Sequence, residues 1–195
     1  MTLPTAFRAL LSAVFLLCLP AGATTMLRAD LPELARSADS IVQGTVRRVE
    51  SRWSGDGRRI VTDVEIQVSD TLKGQAGATV LVTQPGGRVG DIGQMVSGLA
   101  SFTQGEEVVL FLERRGAKAF RVVGLAQGKY KVQRSEDGTR ALAVPEPTGD
   151  TLLLDPDTRQ ATTSSARTVS LAELKASIHT ALQQQAPVRA QEKRP

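Results

Sequence analysis

The chain is nearly devoid of cysteine, histidine and aromatic side chains. Cys18 and His179 are the single residues of their kinds among 195, and Phe, Trp and Tyr make up 4%. One histidine and one cysteine exclude a zinc centre of the Cys/His type. A serine triad would have to draw on His179, and no Gly-x-Ser-x-Gly elbow exists to hold its nucleophile. The shortage of aromatics removes the stacking platforms that single-stranded nucleic acid requires. Charge of one sign is also scarce: 24 Lys and Arg stand against 20 Asp and Glu, for a formal +4. The arginine pairs Arg47-Arg48, Arg58-Arg59 and Arg114-Arg115 are scattered and read as solvated strand ends. Nucleic acid is therefore not an expected partner. No apolar run reaches the roughly 20 residues that a membrane-spanning helix needs.

What is present begins with a leader. Arg8 precedes an apolar run, 9–19, interrupted only by Ser12, and Pro20 ends it ahead of Ala21-Gly22-Ala23. A basic start, an apolar centre and a small-x-small site form a secretory signal peptide over 1–23. Leu17 before Cys18 does not suit a lipoprotein site, so Cys18 leaves with the leader. The exported protein, periplasmic or extracellular, is expected to start at Thr24 with no cysteine, no membrane anchor and a charge of +3 once Arg8 is gone. Small exported domains often rely on disulfides. Here the core must carry stability alone. We expect one domain over 24–185 and a disordered basic tail over 186–195.

The patterning of the domain is mainly β. Residues 24–30 form a lead segment. A short helix over 31–37 places Leu31, Leu34, Ala35 and Ala38 on one face, with Pro32 in its first turn, where a missing N–H costs nothing. Strands are expected over 41–49, 58–72, 79–83, 92–97, 106–114, 120–125, 129–133, 141–144 and 152–154. Ile60, Thr62, Val64, Ile66 and Val68 alternate with Val61, Asp63, Glu65, Gln67 and Ser69, the signature of a half-buried strand. The strand over 106–114 is apolar on both faces and reads as central. Residues 158–165 read as a loop. Ser170 and Glu173 make a capping box, opening a helix over 171–185 with the stripe Leu171, Leu174, Ile178 and Leu182.

Few residues offer chemistry. His179 lies off the apolar stripe and reads as a boundary residue. The cluster 85–93 lacks the Gly-Lys-Ser/Thr ending of a phosphate loop. Its glycines read as turn residues or as a contact loop, with Gly86, Gly87 and Arg88 as candidate binding residues. Asp155-Pro156-Asp157 reads as a turn, short of the ligands of a calcium loop. No catalytic residue, metal ligand or cofactor site is assigned.

The runs 38–46, 70–74, 102–106 and 108–112 follow one another in an order that resembles the netrin-like module, including the N-terminal domain of tissue inhibitors of metalloproteinases. The run 124–130 is similar to stretches of exported bacterial proteins. The resemblance covers about 24–133 and implies an OB-type small β-barrel with a short N-terminal helix and a C-terminal amphipathic helix beside it. In those inhibitors the free N-terminal amine and first carbonyl chelate the zinc of the target. That role would fall here to Thr24, with Thr25 and Met26 beside it as binding residues. The chain departs from the pattern: Thr24 stands where the inhibitors begin with cysteine, Met26 where a second cysteine follows, and no disulfide pins the segment.

The resulting expectation is an exported, non-enzymatic binding domain, protease-inhibitor-like, with an exported metalloprotease as partner. The alternative is a structural envelope module that binds cell-surface polymer. A hydrolase using carboxylates alone is a third reading.

Overall fold

The computed structural model describes residues 24–116, 119–149 and 151–184. The expected leader over 1–23 and tail over 186–195 lie outside the described residues. The protein is mainly β. Among the described residues the strands are β1 (Thr25–Leu27), β2 (Ser40–Trp53), β3 (Ile60–Lys73), β4 (Thr79–Pro85), β5 (Gly87–Val89), β6 (Ile92–Gln94), β7 (Glu107–Arg115), β8 (Ala119–Val122), β9 (Lys129–Arg134), β10 (Ala141–Pro145), β11 (Leu152–Leu154), β12 (Ala161–Thr162) and β13 (Val169–Ser170). The helices are α1 (Leu31–Ser37) and α2 (Leu171–Gln184). Among the described residues no helix is long and apolar enough to cross a membrane.

The large sheet runs β13-β10-β9-β7-β2-β3-β4-β8. Strand β8 is paired on two sides, parallel to β4 at Val82↔Phe120 and antiparallel to β7 over Leu112–Arg115. β2 and β3 slip register between Ile41 and Val42, Gln43 and Gly44, and Val46 and Arg48. Such bulges bend and twist a strand pair. Gly44 allows the tightest approach, since a Cβ there would stand 2.4 Å from the Gln67 carbonyl oxygen.

β7 separates two cores, and its sequence explains why. Val108, Leu110 and Leu112 point to one side, packing with Val42, Val64, Ile66, Val80, Val82 and Phe120. Val109 and Phe111 point to the other, against Leu34, Ala35, Ile41, Tyr130, Leu174 and Ile178. Successive side chains of a strand face opposite ways, so a run apolar at every position can serve two cores.

The second core holds both helices. Asp30 caps α1 by accepting the Glu33 N–H at 2.9 Å, and Pro32 lies in the first turn. α2 buries Leu171, Leu174, Ile178 and Ala181, while Leu182 packs at the edge. Burying each leucine is worth about 1.5–3 kcal/mol. Half of the expected capping box is made: Ser170 Oγ accepts the Glu173 N–H at 3.1 Å, while the Glu173 carboxylate turns to Arg167 at 4.0 Å.

The lead segment and the 158–165 loop contain short strands that local patterning does not show. β1 pairs parallel with β11, and β11 antiparallel with β12. The strand expected over 92–97 ends at Gln94.

Candidate binding surface

The N-terminal strand is fastened at several points. The Leu152 N–H donates to the Thr24 carbonyl at 2.9 Å, and the Arg28 N–H to Leu154 at 2.8 Å. The Arg28 guanidinium meets Asp155 at 2.9 Å. The Asp155 carboxyl is held below the usual carboxylate range, first by the Thr158 N–H, with the Asp157 N–H and the Arg28 charge assisting. The expected turn at Asp155-Pro156-Asp157 thus also anchors the lead segment.

Gln127 is the central fastener. It lies in the 3-10 turn Leu125–Gly128 and is buried. Its Oε1 accepts the Ala29 N–H at 2.9 Å, and its Nε2 donates to the Leu27 carbonyl at 3.0 Å and approaches Met26 Sδ at 3.3 Å. Ordering each backbone residue costs about 1–2 kcal/mol. These bonds supply the offset that a disulfide would otherwise provide. Thr24 and Thr25 remain exposed, and Met26 is half-buried.

The glycine-rich segment is a hairpin, β5 with β6, bolted to the far end of β2 and β3. Gly86 donates its N–H to Ile60 at 2.8 Å and accepts Thr62 Oγ1 at 2.7 Å. Gly87 adopts φ +125°, and a Cβ on it would stand 2.2 Å from Ser51 Oγ and 2.4 Å from Thr62 Oγ1. No side chain fits there. Arg88 is exposed and donates to the Gly90 carbonyl. Within this cluster Gly86 and Gly87 lie against close neighbours, and Arg88 faces out.

The two candidate groups border one segment, 94–99. A Cβ on Gly86 would stand 3.6 Å from Val96 Cγ2, and one on Gly98 would stand 3.1 Å from Met26 Cε. This segment carries the most exposed large apolar side chain described, Met95 at 94%, with Ile92, Val96 and Leu125 also exposed. Methionine is unbranched and adapts its shape to what it packs against.

A buried charge cluster escaped sequence reading. Lys129 is 1% exposed; its ammonium meets Glu106 at 2.9 Å, Glu146 at 3.1 Å and the Ser101 carbonyl, with the Phe102 ring 4.8 Å away. Burial pushes the Glu146 carboxyl up, but the Ser101 hydroxyl and the Lys129 charge outweigh it, and it titrates below the usual range. The ammonium has all its donors engaged, so the cluster clasps the 101–106 loop to β9 and β10. One lysine at a strand start carries no sequence signal of burial. His179 is exposed on α2. Among the described residues no three His, Cys, Asp or Glu side chains are placed to hold a metal ion. No protein-family model matches this chain, and no curated protein is detectably similar to it.

Proposed function

We propose that the protein is an OB-type barrel that acts, after export, as a non-enzymatic binding module for another exported protein, a zinc metalloprotease being the partner to test first. Two observations support the barrel. The pairings β7-β2-β3-β4-β8 return from β8 to β7. Among the described residues, the eleven buried side chains of the core packed against them all come from those five strands. OB-type barrels bind through one strand face and the loops that flank it.

The observation that carries the binding role is the fastened strand β1 beside the exposed Met95 cluster. An unpinned terminus would lose entropy on binding; Gln127 and β11 have already taken that loss. The Leu152 N–H uses one lone pair of the Thr24 carbonyl, and a carbonyl has two. Cleavage after Ala23 would add a free α-amine, whose pKa of about 8 makes its deprotonation at neutral pH inexpensive.

The test compares protein beginning at Thr24 with the same protein carrying one extra N-terminal alanine. Both are assayed against zinc metalloproteases exported by the source organism. The first form should inhibit and the extended form should not, with thermal melting unchanged between them. Inhibition by neither, or equally by both, overturns the zinc-directed reading.

A further inference from the structure

A cleft of about 310 Å³ opens between the end of β4, the end of β7, strand β8 and the 96–100 segment. Val96, Leu99, Val122 and Leu125 form its apolar wall, with Thr83 and Gln84 beside them. Two arginines, Arg115 and Arg121, stand in the lining. We infer that this cleft is a binding site for an aliphatic carboxylate, with Arg115 as the residue that receives the anion.

The charge arrangement selects an anion. Glu113 holds Arg121 through two contacts, at 2.6 and 2.7 Å, and reaches Arg115 only at 3.8 Å. Among the described residues it is the one carboxylate that meets either guanidinium. Arg114 turns aside and lies over the Phe120 ring at 4.9 Å. Arg115, with about half its side chain exposed, therefore carries a charge that Glu113 does not cancel. A guanidinium fork matches a carboxylate in two parallel hydrogen bonds. One uncompensated positive charge suits a monoanion.

The walls select a hydrocarbon body. Five of the ten lining residues are aliphatic, with Pro85 beside them. Leu125 points the same way by an independent route. It sits at φ +57°, directly after Gly124 at φ +62°. A non-glycine residue in this region is strained, and such strain persists where the surroundings require it. Here the strained backbone holds an exposed leucyl side chain on the cleft wall. Asn or Gly would take that backbone more easily and would suit solvent better. The leucyl side chain lies beside Gly98 and leaves part of its surface on the cleft wall, where an apolar ligand would cover it. The cleft shares Val96 and Leu125 with the exposed Met95 cluster, but its ligand and its test do not involve the macromolecular partner proposed above.

Two sources share this chemistry: a free medium-chain fatty acid, and the C-terminal residue of a peptide with an aliphatic side chain. The test titrates ¹⁵N-labelled protein with octanoate and with N-acetyl-leucine, following amide shifts. Octanamide and N-acetyl-leucinamide serve as uncharged counterparts. Shifts should concentrate at Val96, Leu99, Val122 and Leu125, and each carboxylate that binds should do so at least fivefold more tightly than its amide. Arg115→Gln, at an exposed position, should reduce that preference below twofold while leaving the rest of the spectrum in place. Tighter octanoate assigns the site to fatty acids, and tighter N-acetyl-leucine assigns it to peptide C-termini. The inference is overturned if no ligand shifts those amides, if amides bind as tightly as carboxylates, or if Arg115→Gln leaves the preference intact.

Discussion

Gln127 accepts the Ala29 N–H at 2.9 Å with its side-chain oxygen, one residue before Asp30 caps α1. This bond joins residues 98 apart in sequence and sets where the N-terminal strand gives way to the helix. It makes the position of Thr24–Met26 a property of the folded domain rather than of a loose end.

Replacing Gln127 with leucine keeps the volume and removes the amide. The Ala29 N–H and Leu27 carbonyl then lose their partner, at about 1–3 kcal/mol for a buried unsatisfied group. Urea denaturation should report that loss, and hydrogen exchange should quicken over 25–29 first. A change below about 0.5 kcal/mol, with exchange unaltered, would show that the pairing with β11 suffices.

Lys129→Met retains the apolar stem of the side chain and deletes the ammonium. Glu106 and Glu146 are then left facing each other without a cation, and breaking a buried pair in this way costs about 3–5 kcal/mol. Adding Glu146→Gln to the same chain should recover part of the loss. A double variant no more stable than Lys129→Met alone would refute the coupling.

Acid should weaken the fold through its depressed carboxylates, Glu107, Asp70 and Glu146 among them. Glu107 is held below its ordinary range by the Arg134 hydrogen bond above all, Asp70 by the hydrogen bond from Lys175 on α2, and Glu146 by its Ser101 and Lys129 partners against the pull of burial. A carboxylate whose pKa is depressed on folding adds stability that is complete above the unfolded value, about 3.9 for Asp and 4.3 for Glu, and that is lost as pH falls through the folded value. Melting temperature should therefore be level between about pH 6 and 8 and should decline below about pH 5. Glu146→Gln should make the decline shallower; an unchanged slope would remove Glu146 from the account.

Much of the fold is legible in short windows because the forces concerned are local. Alternation over Ile60–Val68 marks one buried face, and the structure buries Ile60, Thr62, Val64 and Ile66. Pro32 and the helical spacing of Leu34, Ala35 and Ala38 mark α1, and the Ser170 hydroxyl marks the start of α2. The glycines at 86 and 87 are visible as turn residues, but their reason is not: Ser51 and Thr62 come from other strands. β2 outruns its expected end at 49 because pairing continues to Trp53↔Ile60, carrying a polar stretch that periodicity alone would release.

Sequence by itself determined the class of elements, the strand that would lie between neighbours, and the lack of any cysteine after Cys18 to staple the domain. Only the tertiary structure decided that residues 25–27 become a strand, because their hydrogen-bond partner β11 lies more than a hundred residues away and no local propensity reports it. It also decided that Lys129 is buried, because the carboxylates that make this tolerable arrive from the loop at Glu106 and from Glu146, just past the end of β10. Local spacing records which face of an element is apolar. What that face meets, and which polar groups are brought in to satisfy one another, depends on chain closure over long separations, and that is where the candidate surface was made.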